Sequence, residues 1–82
     1  CSSDLFKTIR QKLASYLLRM LKQQGDSPIQ LDRSQQELAD YFGVSRPSLA
    51  RELAHMQDDG LIKTDRKLVH ILRKEDMMQL IQ

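Results

Sequence analysis

Tryptophan is absent from this 82-residue chain, and aromatic side chains make up only 5% of it. Proteins that hold single-stranded nucleic acid stack bases on aromatic platforms, so that mode of binding is disfavoured. A single cysteine, Cys1, excludes an internal disulfide and fits a reducing compartment. Cys1, His55 and His70 are scattered without zinc spacing, so neither a metal nor another cofactor is expected for this segment. No apolar run approaches the length of a membrane span and no signal-peptide pattern is present, so a cytoplasmic protein with no membrane partner is expected. The chain also lacks a phosphate-cradling glycine loop and a nucleophile elbow. Ser45 and His55 share a helix but stand too far apart to act as nucleophile and base, and no turnover is expected. Charge of one sign is lacking too: 13 lysines and arginines stand against 11 acids, a net charge of +2. That balance points only weakly to a polyanionic partner, and the placement of the cations has to decide.

What is present makes one domain. The chain starts with Cys rather than Met and reads as a fragment of a longer protein. From Asp4 to Gln24, Leu5, Phe6, Ile9, Leu13, Tyr16, Leu17, Met20 and Leu21 recur at helical spacing. Ser3 or Asp4 can cap this helix and Gly25 can end it. Lys7, Arg10, Lys12, Arg19 and Lys22 lie mostly off its apolar stripe, as a solvated face or as contacts for flanking phosphates. Ile29-Gln30-Leu31 alternates as a short strand does. Leu61–Thr64 and Lys67–Leu72 read as two further strands, with Thr64-Asp65-Arg66-Lys67 as their connection and the aspartate as the residue that tolerates the left-handed region. A last helix over Glu75–Ile81 puts Met77, Leu80 and Ile81 on one face.

The most telling span is Ser34 to Gly60. Ser34 with Glu37 forms a capping-box pattern for a helix over Gln35–Phe42, whose Leu38, Ala39 and Phe42 face inward. Gly43 supplies the turn. Val44 buries beside it, Ser45 caps a second helix over about 45–59, and Pro47 fits its first turn. Leu49, Leu53 and Met56 make the buried stripe of that second helix, and Gly60 stops it. Arg46, Pro47, Ser48 and Arg51 lie off the stripe. This is the layout of a helix-turn-helix whose second helix enters the DNA major groove. Arg51 suits base readout, because a guanidinium fork can meet guanine O6 and N7 together. Arg46 suits a base or a phosphate, Ser45 and Ser48 a phosphate or a base edge, and the Pro47 ring a thymine methyl. The N–H groups that open the Ser34 helix can hold a phosphate. Lys63, Arg66 and Lys67 put cations around the hairpin tip, where a flanking backbone would pass. The order helix, strand, helix, helix, strand, strand, helix is that of a winged helix-turn-helix, mainly α with a small β-hairpin.

The run VSRPSLARELAHMQDDGLI after QQELADYFG resembles the C-terminal DNA-binding domain of Crp/Fnr-type bacterial transcription regulators. The likeness extends from about Lys12 to Leu72 and is sharpest from Ser34 to Ile62. It implies a winged helix that binds palindromic duplex sites as a homodimer, with an N-terminal effector domain of the cyclic-nucleotide-binding type missing here. RNA polymerase is a further partner the resemblance brings in. Residue by residue, it implies base-reading positions at Arg46, Pro47 and Arg51, positions near phosphate at Ser34, Gln35 and Gln36, and a wing at Asp65 to Lys67. Residues 1–11 would be the end of a dimerisation helix or a hinge, and 12–82 the DNA-binding domain. The best-known members carry a glutamate where this chain has Pro47, so a different target sequence is implied. Glu52 stands where many helix-turn-helix proteins are apolar; it pairs with a neighbouring cation or faces the missing domain. Asp58 and Asp59 sit at a helix C-terminus, where the macrodipole disfavours them. The competing reading is a winged-helix protein-interaction module that binds no DNA, since fold alone does not fix function.

Overall fold

A computed structural model describes residues 8–25 and 28–81. Helix α1 spans Ile9–Gln24. It begins later than Asp4, because Thr8 is extended and forms a reciprocal cap with Gln11. The Gln11 N–H donates to Thr8 Oγ1 at 3.2 Å and the Thr8 N–H donates to Gln11 Oε1 at 3.0 Å. The expected caps Ser3 and Asp4, together with Leu5, Phe6 and Lys7, lie outside the described residues. Leu13, Ala14 and Leu17 carry the buried stripe of α1.

Strands β1 (Ile29–Gln30), β2 (Ile62–Asp65) and β3 (Leu68–Ile71) form one antiparallel sheet in the order β1-β3-β2. The short strand before the helix-turn-helix therefore closes onto the hairpin, with Ile29 opposite Val69 and Gln30 opposite Leu68. A helix glutamine meets each sheet edge at one residue. Gln24 of α1 donates to the Gln30 carbonyl at 2.8 Å and accepts from its N–H at 2.9 Å. Gln57 accepts from the Thr64 N–H in a longer contact of 3.5 Å. Occupied edge groups cannot template a foreign strand.

The hairpin turn differs from the expected one. Asp65 pairs with Leu68, which leaves Arg66 and Lys67 as a two-residue loop. The first loop position, not the aspartate, then takes the positive φ, and Arg66 sits at +54°. An arginine is strained there. Arg66→Gly is expected to raise the unfolding free energy by roughly 0.5–1 kcal/mol, a left-handed penalty of about 1–2 kcal/mol less the extra chain entropy a glycine loses. Urea titration measures this, and a lowered midpoint would contradict it.

Helix α2 covers Gln35–Phe42 and α3 covers Arg46–Asp58. Ser34 caps α2 by accepting from the Glu37 N–H at 3.3 Å, but the Glu37 side chain returns no bond, so the cap is half of the expected box. Gly43, at φ +72°, ends α2: its N–H donates to Asp40 and that of Val44 to Ala39. Gly60, at φ +76°, ends α3 in the same way, bonding Gln57 while Leu61 bonds Met56. Val44 is only half buried beside its turn.

Ser45 holds the N-cap position of α3 with extended backbone but makes no side-chain cap bond. A capping hydroxyl accepts from the second or third N–H of its helix. The second residue, Pro47, has none, and the N–H of the third, Ser48, is not taken up by the Ser45 hydroxyl. Ser45 Oγ donates instead to Ser48 Oγ at 2.9 Å.

The core joins these elements. Leu38, Ala39 and Phe42 of α2 and Leu49, Leu53 and Met56 of α3 are buried with Leu13 and Leu17 of α1, Ile29, Ile62 and Val69 of the sheet, and Met77. Met77 belongs to α4, Lys74–Leu80, where Leu80 and the following Ile81 pack more loosely against the same cluster.

Candidate nucleic-acid interface

Burying Leu49, Leu53 and Met56 fixes which side of α3 meets solvent. Arg46, Pro47, Ser48 and Arg51 are all exposed on the first turns, and Ser45 is exposed just ahead of them. Neither arginine enters an ion pair among the described residues. Both forks therefore keep their donors for a ligand. The Ser48 oxygen accepts from Ser45, and its own O–H remains a donor. His55, one turn beyond Arg51, is exposed; His70 is half buried in β3.

At the start of α2, Ser34, Gln35 and Gln36 are exposed. The Ser34 hydroxyl satisfies the Glu37 N–H. The backbone N–H groups of Gln35 and Gln36 have no partner within the helix, the usual condition of a first turn, and they carry its positive dipole end outward. Lys63, Arg66 and Lys67 are exposed on β2 and the hairpin tip, with the Asp65 carboxylate among them.

Three side-chain arrangements escaped the sequence reading. Arg10, grouped there with the solvated cations of α1, grips two carboxylates of the α3 region. Its Nε donates to Glu52 Oε1 at 2.7 Å and its terminal nitrogen meets Asp59 Oδ2 at 3.0 Å. The hydrogen bond to Glu52, more than any other influence, holds the Arg10 proton more tightly than usual, against a smaller opposing effect of burial. Glu52 is thus paired with a cation from α1, and Asp59 has a partner that offsets its unfavourable place at a helix end. The side chains are 29%, 23% and 54% exposed respectively, so screening limits the stability gained to less than about 1 kcal/mol per pair.

The second arrangement is at the turn itself, where the Lys12 ammonium donates to the Phe42 carbonyl at 3.4 Å. The third places the Arg33 guanidinium 5.2 Å from the centre of the Tyr41 ring, itself packed on Tyr16 and Phe42. The signal available for the Arg10 pairs was the oddity of Glu52 and Asp59. For Arg33 the sequence offered only its place next to the Ser34 cap.

Two helices joined at a left-handed glycine, the second with an open cationic edge, followed by a hairpin with cations at its tip, define a winged helix-turn-helix domain. Residues 11–80 match the family model of the Crp-like helix-turn-helix domain, and the chain belongs to that family. It is 31% identical over 70 residues to the probable transcriptional regulator Flp of Lacticaseibacillus casei, a match covering 85% of this chain and 32% of that protein. A Crp/Fnr-family transcriptional regulator from Eubacterium rectale superimposes with a TM-score of 0.82 at 25% identity, over 98% of this chain and 36% of that one. A Crp-family transcriptional regulator from Thermus thermophilus gives 0.75 at 26% identity, over 98% of this chain and 43% of that one. The chain thus spans about a third of the curated relative's length. No helix among the described residues is long and apolar enough to cross a membrane.

Proposed function

We propose that this chain binds double-stranded DNA sequence-specifically in the service of transcription regulation, with α3 in the major groove and the hairpin tip on the flanking backbone. The observation that carries this reading is the pair of exposed arginines, Arg46 and Arg51, outside any ion pair of the described residues, one at the first residue of α3 and the other on the side away from its buried stripe. Arg51 reads a guanine through its fork, Arg46 a neighbouring base or phosphate, Ser48 a base edge, and Pro47 packs on a thymine methyl. Ser34, Gln35, Gln36, Ser45, Lys63, Arg66 and Lys67 hold the register through phosphates. The relatives are regulators roughly two to three times as long as this chain. We therefore place it in a longer regulator that pairs as a homodimer on a palindromic operator, with an effector domain ahead of α1 and RNA polymerase as a downstream partner.

Salt titration of duplex binding tests the reading. About 0.9 counterions are released per phosphate neutralised by a lysine or arginine, so Lys63, Arg66 and Lys67 give a log–log slope near −3 per chain, and affinity falls roughly 40-fold between 50 and 200 mM salt. A flat titration, or no retardation of duplex at low salt with tens of micromolar protein, would sink DNA binding and favour the protein-interaction module. Sites selected from random duplex by the dimeric full-length regulator should show a two-fold symmetric consensus.

A further inference from the structure

We infer that Arg10 is a positioning residue for the recognition helix: by gripping Glu52 and Asp59 it sets the rotation of α3 about its own axis. The inference rests on the DNA-binding reading for its consequence and on geometry alone for its cause. Glu52 and Asp59 are seven residues apart, two full turns, and so lie on one flank of α3. One guanidinium from the first turn of α1 holds both, at 2.7 and 3.0 Å. Both contacts lie off the helix axis on the same flank, so rolling that flank of α3 away from α1 has to lengthen both at once. The buried stripe attaches α3 to the core, and the guanidinium fork, with its fixed donor directions, adds a second restraint on the flank beside it.

The roll matters because Arg51 directly precedes Glu52. Turning the Glu52 flank away from α1 carries Arg51 sideways across the groove, and a bidentate contact to a base edge tolerates little displacement. Arg10 itself lies just outside the segment 11–80 matched by the family model, while Glu52 and Asp59 lie within it.

Electrostatics alone makes the opposite forecast for one of the variants. Glu52 is an acid on the proposed DNA-binding helix, so removing it should tighten binding to every duplex. If Glu52 serves as the handle for Arg10, removing it should instead cost selectivity.

The experiment uses the 82-residue chain, its Arg10→Met and Glu52→Met variants and the double variant. Methionine keeps an unbranched apolar stem in each place. Affinities are measured for a duplex selected from a random pool and for its scrambled counterpart. Each single variant is expected to lower the ratio of the two about five- to ten-fold, part of what one bidentate arginine supplies. The double variant should lose no more than either, since both break one clamp. An unchanged ratio in both single variants, a uniform gain in affinity for both duplexes with Glu52→Met included, overturns the inference. A DNA-free readout separates this from failure of the DNA-binding reading: amide resonances from Arg51 to Asp59 should move in the NMR spectrum of Arg10→Met. Unmoved α3 amides overturn the clamp whether or not the parent chain binds DNA. A parent that binds no duplex while those amides do move overturns only the reading on which the inference rests.

Discussion

Leu49→Ala should lower the thermal midpoint of this domain by roughly 10–30 °C. Leu49 is completely buried, on the side of α3 opposite Arg51. It belongs to the cluster that joins α3 to α2, α1 and the sheet. Deleting a fully buried leucine side chain removes its transfer free energy and leaves a cavity, together about 2–5 kcal/mol. A chain of this size holds a total of roughly 4–12 kcal/mol, and each kcal/mol moves the midpoint of such a domain by about 4–8 °C. Helical circular dichroism followed on heating, with a urea titration beside it, measures the change. A shift of only a few degrees would mean that the Leu49–Leu53–Met56 stripe is not the attachment of α3, and the orientation of its outer edge would then lose its physical basis. An exposed change on the same helix, such as Ala54→Ser, should move the midpoint little.

The helices were legible because their signals are local. The bounds of α2 are those that Ser34, the apolar spacing and Gly43 dictate, and Gly60 stops α3 one residue after its C-cap. A left-handed position next to the last turn leaves few residues but glycine to fill it. The misses arose where one local signal competed with another. Thr8 with Gln11 makes a capping box, a pattern that Ser3 and Asp4, followed by Phe6 and Lys7, lack, and apolar periodicity alone did not bring it out. Ser45 has the right residue type for a cap, but its hydroxyl bonds the Ser48 hydroxyl rather than a backbone N–H, a choice that residue type does not announce. The expected left-handed aspartate failed because register, not residue preference, chose the loop: once Asp65 pairs with Leu68, Arg66 must turn. The third strand was legible as a strand but not as a neighbour of β3, since Ile29 and Val69 are far apart in sequence and alternation names no partner.

The candidate interface divides along the same line. That Pro47, Ser48 and Arg51 would be exposed followed from their positions off the stripe, because burying Leu49, Leu53 and Met56 leaves them no other side; Arg46 is exposed as the first residue of α3, ahead of the packed length. The Arg10 clamp did not follow. Glu52 and Asp59 could be seen to violate local rules, one as an acid at a commonly apolar position and the other as a negative charge at a helix C-terminus. The cation that resolves both comes from another helix more than forty residues away. An acid that breaks a local rule points to a long-range partner without saying which cation supplies it. Arg33 on Tyr41 is instead a short-range contact along the outer length of α2, announced by no broken local rule.

Arg51→Ala should reduce discrimination between the selected duplex and a scrambled one by about 5- to 150-fold, the roughly 1–3 kcal/mol that a bidentate arginine–guanine contact supplies. Stability should stay within about 0.5 kcal/mol, because Arg51 is exposed and enters no ion pair among the described residues. Arg51→Lys should not restore the lost discrimination: an ammonium keeps the charge but lacks the planar fork that spans two acceptors. The hairpin lysines provide the contrast. Lys63→Ala or Lys67→Ala should weaken binding to both duplexes alike and make the log–log salt slope shallower by about 0.9, as the loss of one phosphate contact requires. Binding measured at several salt concentrations separates the two behaviours, since the ratio of affinities reports the base contact and the slope reports the phosphates. If Arg51→Ala instead left the ratio intact and flattened the slope, Arg51 would be a backbone anchor, and base reading would pass to Arg46 and its neighbours at the start of α3.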